Sequence, residues 1–308
     1  MNSLAKGVLS HPSDLGGPLA TDIVQANSRG CVFSLCATRY AMLLPSTHSR
    51  IKLMRHPLDD ATFADRDHIK DELGIKTIID LRTKTEHINR AKKREQQAND
   101  PSLVKLNAAL TESVYISGID YHEIKITGRP LEWFWLSLLG WWDFMRFLFL
   151  FISGYRMEAV RIIGTKVMLP RGLVGLGLDT IDNSPLEIRE TLALYTKRAV
   201  LPSVVHCTQG KDRTGLVCAL VLMILNVPVP AIEHDYRLTD EALLEEREER
   251  IAETRQIGLT EEWVSTAKDM IVRIAQHLND RYGGLDKYLD GIGFGVGDRD
   301  MVRETLLY

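Results

Sequence analysis

Four cysteines in 308 residues, at positions 31, 36, 207 and 218, are too few and too irregularly spaced for a disulfide framework or a zinc site. No strong charge of either sign is present. A net charge of −3 gives no general attraction to nucleic acid or to an acidic membrane. Residues 1–27 lack the charged-then-apolar order of a secretory leader. These absences fit a reducing, cytoplasmic setting with no metal or other cofactor implied. What is present is ample apolar content (45%) for a sizeable core in one or two domains.

The chain is organised around residues 204–222. Ala199 to Val205 reads as a short buried strand, and the apolar run from Leu216 to Leu225 reads as a buried helix stopped by Asn226-Val227-Pro228. Between them lies His206-Cys207-Thr208-Gln209-Gly210-Lys211-Asp212-Arg213-Thr214-Gly215. Strand, loop and helix put Cys207 at a strand's carboxyl end and wrap the following residues onto a helix N-terminus. Unpaired N–H groups there can cradle a tetrahedral anion, and Gly210 lets the backbone turn. The planar fork of Arg213 can hold two phosphate oxygens. The same positive surroundings favour the thiolate of Cys207, a nucleophile aimed at phosphorus. Thr214 is placed to hydrogen-bond the sulfur, while Thr208, Gln209, Gly210 and Lys211 would line the bound phosphate.

This His-Cys-x5-Arg-Thr string resembles the signature of the cysteine-dependent phosphatases, the tyrosine and dual-specificity group. Its fuller form, His206-Cys207-x-x-Gly210-Lys211-Asp212-Arg213-Thr214-Gly215, resembles an atypical bacterial and fungal branch, some members of which also act on phosphoinositides. The run Gly74-Ile75-x-Thr77-Ile78-Ile79-Asp80-Leu81-Arg82 is similar to a second landmark, a strand beside the phosphate loop. The resemblance implies an α/β fold: a single phosphatase-like domain over 51–308, with a central, mostly parallel sheet flanked by helices. Residues 1–50 form a divergent N-terminal segment. Where that family carries an Arg-Ser pair this chain has Arg55-His56-Pro57, and Asp14-Leu15-Gly16-Gly17 is similar to its early turn. Ile232-x-x-Asp235-Tyr236-x-Leu238-Thr239 and Tyr282-Gly283-Gly284-Leu285 extend the resemblance toward the end.

Elsewhere the pattern is ordinary. Asp59 to Thr62 reads as a cap for a helix through Phe63, Ile69 and Leu73, stopped by Gly74. Asp80 is either a residue of the pocket rim or the cap of a solvated helix over 84–97. Gly172, Gly175 and Gly177 mark a loop; Ser184, Pro185 and Glu187 form a capping box for the next helix. Residues 241–250 read as a solvent-facing helix and 261–278 as one amphipathic helix. Asp235 and Asp240 are read as caps or paired charges, and Cys218 as core.

One stretch stands apart: Leu131 to Ile152 holds four tryptophans and five phenylalanines. It is nearly long enough to span a bilayer. Asp143 and Arg146 would each cost about 2.5–3.5 kcal/mol at its centre, while each apolar residue returns only about 0.3–0.6 kcal/mol. A span would also separate the Asp80 and Cys207 strands, which belong in one sheet. The segment at about 129–170 is therefore read as an aromatic-rich helical cap insert, or as an amphipathic surface making peripheral membrane contact through 131–152. Gly140 and Gly154 favour the cap, because they divide the run into short helices.

The chemistry expected is hydrolysis of a phosphate monoester through a phosphocysteine, with Cys207, Arg213 and Asp212 catalytic. The proton for the leaving group comes from Asp212 or from Asp80. Lys211 adds a cation that favours highly charged substrates, or pairs with a neighbouring carboxylate. A phosphorylated protein is the leading substrate and a phosphoinositide the second. A sulfurtransferase or an inactive phosphate-binding module are the readings from other classes.

Overall fold

The computed structural model describes residues 31–34, 40–45, 58–242 and 247–307. The early Asp-Leu-Gly-Gly turn and the 55–57 triplet lie outside the described residues.

β-Branched pairs, Ile78-Ile79 and Val204-Val205, make the two central strands of the sheet. β3 (Thr77–Asp80) lies between β4 (Asp120–Glu123) and β5 (Ser203–His206), parallel to both. β2 (Tyr40–Pro45) pairs antiparallel with β5, and β1 (Cys31–Ser34) antiparallel with β2, giving the order β1-β2-β5-β3-β4. The α/β architecture is thus as expected, with an antiparallel pair added to a parallel three-stranded centre. β3 and β5 are buried throughout, as parallel strands covered on both faces must be. Alternation divides their side chains. Ile78 and Val204 join Leu58, Ile69 and Leu73 on one face, while Ile79 and Val205 join the main core on the other.

Helices cover both faces. α1 (Phe63–Asp67) starts at Thr62, which exchanges hydrogen bonds with Asp65, and its continuation ends at the left-handed Gly74. α2 (Lys84–Ala98) is capped by Thr83, not by Asp80; Thr83 Oγ1 accepts from the Glu86 N–H. α3 (Pro101–Leu106) precedes β4. The insert folds as α4 (Arg129–Ser137), α5 (Trp141–Ile152) and α6 (Arg156–Ile163), divided where Gly140 and Gly154 stand. It has a small core of its own: Leu131, Trp135 and Val167, with Phe134, Ile163 and Leu176 against them. Trp135 donates its indole N–H to the buried Asp179 at 3.1 Å, which Arg171 also holds. α5 has no buried residue. No helix among the described residues is long and apolar enough to cross a membrane.

α7 (Leu169–Asn183) replaces the loop expected at the three glycines. Only Gly172 leaves helical geometry, at φ 67°. Gly177 is needed for close packing, since a Cβ there would come within 2.6 Å of Met270 Cε. α8 (Pro185–Leu194) begins as predicted, but without the capping box. The Ser184 hydroxyl has no partner, and the Glu187 carboxyl is packed against Gly128 instead.

β5 leads into α9 (Asp212–Ile224), apolar all round and central to the core, with Cys218 buried in it. α10 (Val229–Ala242), α11 (Arg247–Gln256), α12 (Met270–His277), α13 (Leu285–Gly291) and α14 (Val296–Leu307) complete the chain. The single helix expected over 261–278 is broken. Asp240 accepts from both the Thr266 N–H and its hydroxyl at 2.6 Å, and Asp269 takes a left-handed φ of 59° before α12.

Candidate active site

The loop from Cys207 to Lys211 joins the end of β5 to the first turn of α9. Gly210, at φ 72°, turns the chain so that its N–H points back to the Cys207 sulfur at 3.3 Å. That sulfur is buried. Behind the loop, Gly215 admits the ring of Tyr236 from α10; a Cβ there would lie 2.9 Å from two ring carbons. Tyr236 thereby buttresses the loop from behind.

Arg213 is fixed rather than loose. Its Nη1 donates to Glu86 Oε2 at 2.8 Å and its Nη2 to Glu86 Oε1 at 2.5 Å, a bidentate pair, with Leu81 O at 3.4 Å. Glu86 also accepts from the Thr208 hydroxyl and from the Thr83 N–H. Burial alone would raise the Glu86 carboxyl. The charge of Arg213 and these hydrogen bonds outweigh it and hold the group well below the usual carboxylate range. Burial likewise works against the Arg213 charge, but Glu86 first, then Cys207 and Asp212, keep the guanidinium fully protonated.

Lys211 and Asp212 face each other. The fully buried Lys211 Nζ donates to both Asp212 oxygens, at 2.8 and 3.0 Å, so of its two anticipated roles the pairing with a carboxylate is the one seen. Gln209 Oε1 is 3.4 Å from Arg250 Nη2, and Arg250 also donates to Val264 O at 2.5 Å. The helix read as solvent-facing therefore turns one arginine inward to the loop, because a carbonyl and an amide oxygen there need a donor. The Thr214 hydroxyl is buried and makes no hydrogen bond among the described residues, so the expected contact with the Cys207 sulfur is not formed.

Asp80 takes part in a second cluster. Arg82 Nε donates to Asp80 Oδ2 at 2.9 Å, and Arg82 Nη1 to Asp59 Oδ2 at 2.5 Å. His206 Nε2 lies 3.5 Å from Asp80 Oδ2, the two residues being register partners across β3 and β5. Burial would raise Asp80, but His206 and Arg82 bring it below its ordinary value. A cavity of about 250 Å³ is lined by Asp59, Asp80, Arg82, His87, Glu123 and His206 among others; Cys207 is not among the described residues lining it. Among the described residues Asp235 has no ion-pair partner. Its Oδ2 is buried without a hydrogen bond, and burial pushes its carboxyl up to about 7. Among the described residues, no group of three His, Cys, Asp or Glu side chains could hold a metal ion.

Two residues at the loop escaped the sequence reading, Glu86 and Arg250. Glu86 had a legible signal, because Thr83-x-x-Glu86 is a capping-box pattern that fixes the carboxylate at the start of α2. Nothing in the sequence marks Arg250 among its neighbouring charges.

Taken together, the loop presents a sulfur, an immobilised guanidinium and the N-terminus of a buried helix, an arrangement suited to a tetrahedral oxyanion. A model of the tyrosine phosphatase family matches residues 50–308. A tyrosine-protein phosphatase of Nostoc commune is 32% identical over 100 residues, which cover 29% of this chain and 33% of that protein. The match thus spans about a third of the relative's length.

Proposed function

The chain belongs to the tyrosine phosphatase family, and from that membership we propose that it hydrolyses phosphate monoesters through a phosphocysteine, with phosphotyrosine in proteins as substrate. The observation that carries this reading is the Cys207 sulfur accepting the Gly210 N–H in the loop that leads to an Arg213 clamped by Glu86.

In the first step the Cys207 thiolate attacks phosphorus while Arg213 and the loop amides hold the phosphoryl oxygens. The ester P–O bond breaks, and the leaving oxygen takes a proton from Asp212. Water then attacks the phosphocysteine, Asp212 accepts its proton, and the P–S bond breaks to return the thiolate. Asp212 suits this role better than Asp80. Its side chain is about a fifth exposed, whereas Asp80 is buried and kept ionised by His206 and Arg82. An incoming phosphate dianion competes with Asp212 for the Lys211 ammonium. The unpartnered Thr214 hydroxyl is available to the departing sulfur.

Comparison of the wild type with Cys207→Ser on p-nitrophenyl phosphate tests the mechanism. Turnover should vanish in the variant, and equal rates would exclude the thiolate route. A panel of phosphotyrosyl peptides and phosphoinositides tests the substrate class. Phosphoinositides are the second reading, which the same panel tests.

A further inference from the structure

The apolar face of the insert has no occupant among the described residues. Trp142, Met145, Phe149 and Ile152 are exposed and recur three and four residues apart, which places them on one face of α5. Trp142 is 83% exposed and Phe149 69%. Trp141 and Trp142 stand at the start of the helix and Tyr155 just beyond its end, all exposed. Such amphipathic rings settle at the level of lipid headgroups.

The charges are arranged to match. Asp143 is half-buried, 3.8 Å from Lys166 of the following turn, whereas Arg146 is exposed. Arg156 lies over the Phe151 ring at 5.6 Å. Residues 129–171 carry six basic and three acidic side chains, in a chain whose net charge is −3. A second copy meeting this face symmetrically would set like charges against each other. An anionic lipid surface would complement them.

We propose that the hairpin of α5 and α6 seats the protein on an anionic lipid bilayer, with α5 lying in the plane of the interface. Its twelve residues extend about 18 Å at 1.5 Å per residue, too short for the hydrocarbon core of about 30 Å. The helix therefore lies on the membrane and does not span it. This inference does not depend on the chemistry at Cys207, because the measurement involves no turnover.

The experiment is flotation of the full chain with vesicles of phosphatidylcholine containing about a third phosphatidylserine, and with phosphatidylcholine alone. The protein should float with the anionic vesicles, less so at high salt, and its tryptophan emission should shift to the blue. W142E/F149E, whose melting curve should match the wild type, should bind at least about tenfold more weakly for each aromatic removed from the bilayer. Three results would overturn the proposal: no flotation with anionic vesicles, equal flotation of wild type and variant, or a concentration-dependent dimer that the variant abolishes while vesicles are ignored. The last would assign the face to a second copy.

Discussion

Replacing Glu86 with Ala removes the only carboxylate shown bonding to the Arg213 guanidinium among the described residues. Truncating one member of a buried pair costs about 3–5 kcal/mol when both are fully desolvated. Here the side chains are 18% and 27% exposed, so about 2–3 kcal/mol of stability is expected to be lost. Activity should suffer as well, because an arginine free to swing by an ångström costs on the order of 100-fold in kcat/KM. Glu86→Gln keeps the shape and one acceptor oxygen, and should lose about tenfold through its missing charge-assisted bond. The pH dependence follows from the depressed carboxyl of Glu86. Its stabilisation is fully present above the unfolded value of about 4.3 and is lost as pH falls toward the lower folded value. Urea unfolding between about pH 7 and pH 3, with p-nitrophenyl phosphate kinetics in parallel, measures both effects. Wild-type kcat/KM in the Ala variant, or an acid limb of Glu86→Gln superimposing on the wild type, would refute the clamp.

Asp212→Asn should lower kcat/KM, which reports the leaving-group step, far more for phenyl phosphate than for p-nitrophenyl phosphate, whose leaving group needs no proton; equal losses in kcat/KM would remove Asp212 as the acid. Asp235 is raised to about 7 by burial, so the fold holds its proton where the unfolded chain releases it. Stability should therefore fall as pH rises from about 4 to 7. Asp235→Asn should flatten that decline and gain up to about 4 kcal/mol at about pH 8, read from unfolding curves. Gly164→Ala would push a methyl group to 2.0 Å from the Ile257 carbonyl oxygen, and should cost about 3 kcal/mol in the same assay.

The phosphate loop was legible because its chemistry is contiguous: strand, cysteine, glycine turn, arginine and helix follow one another from Val204 to Leu225. Glu86 was not, because it reaches Arg213 from 127 residues away, on a helix whose composition reads as solvated. Charge pattern tells which helices face water on average, but not that Arg250 turns inward to Gln209 and Val264. The glycines of α7 misled for a related reason. Gly177 is there for the close approach of Met270, a neighbour 93 positions away, and such a tertiary need looks the same in sequence as a local breaker. Helix 261–278 failed where Asp240 captures Thr266, again a contact that periodicity does not encode.

The aromatic insert is rooted at one end only. Gly164 abuts the Ile257 backbone, and Trp135 and Arg171 share Asp179, so the base of the insert is tied to the body of the protein. Gly140 and Gly154, by contrast, have open space around them. A side chain at either position would meet no neighbour among the described residues. The apolar tip of the insert is thus joined through two unobstructed glycines to a base held by Asp179 and the Ile257 backbone.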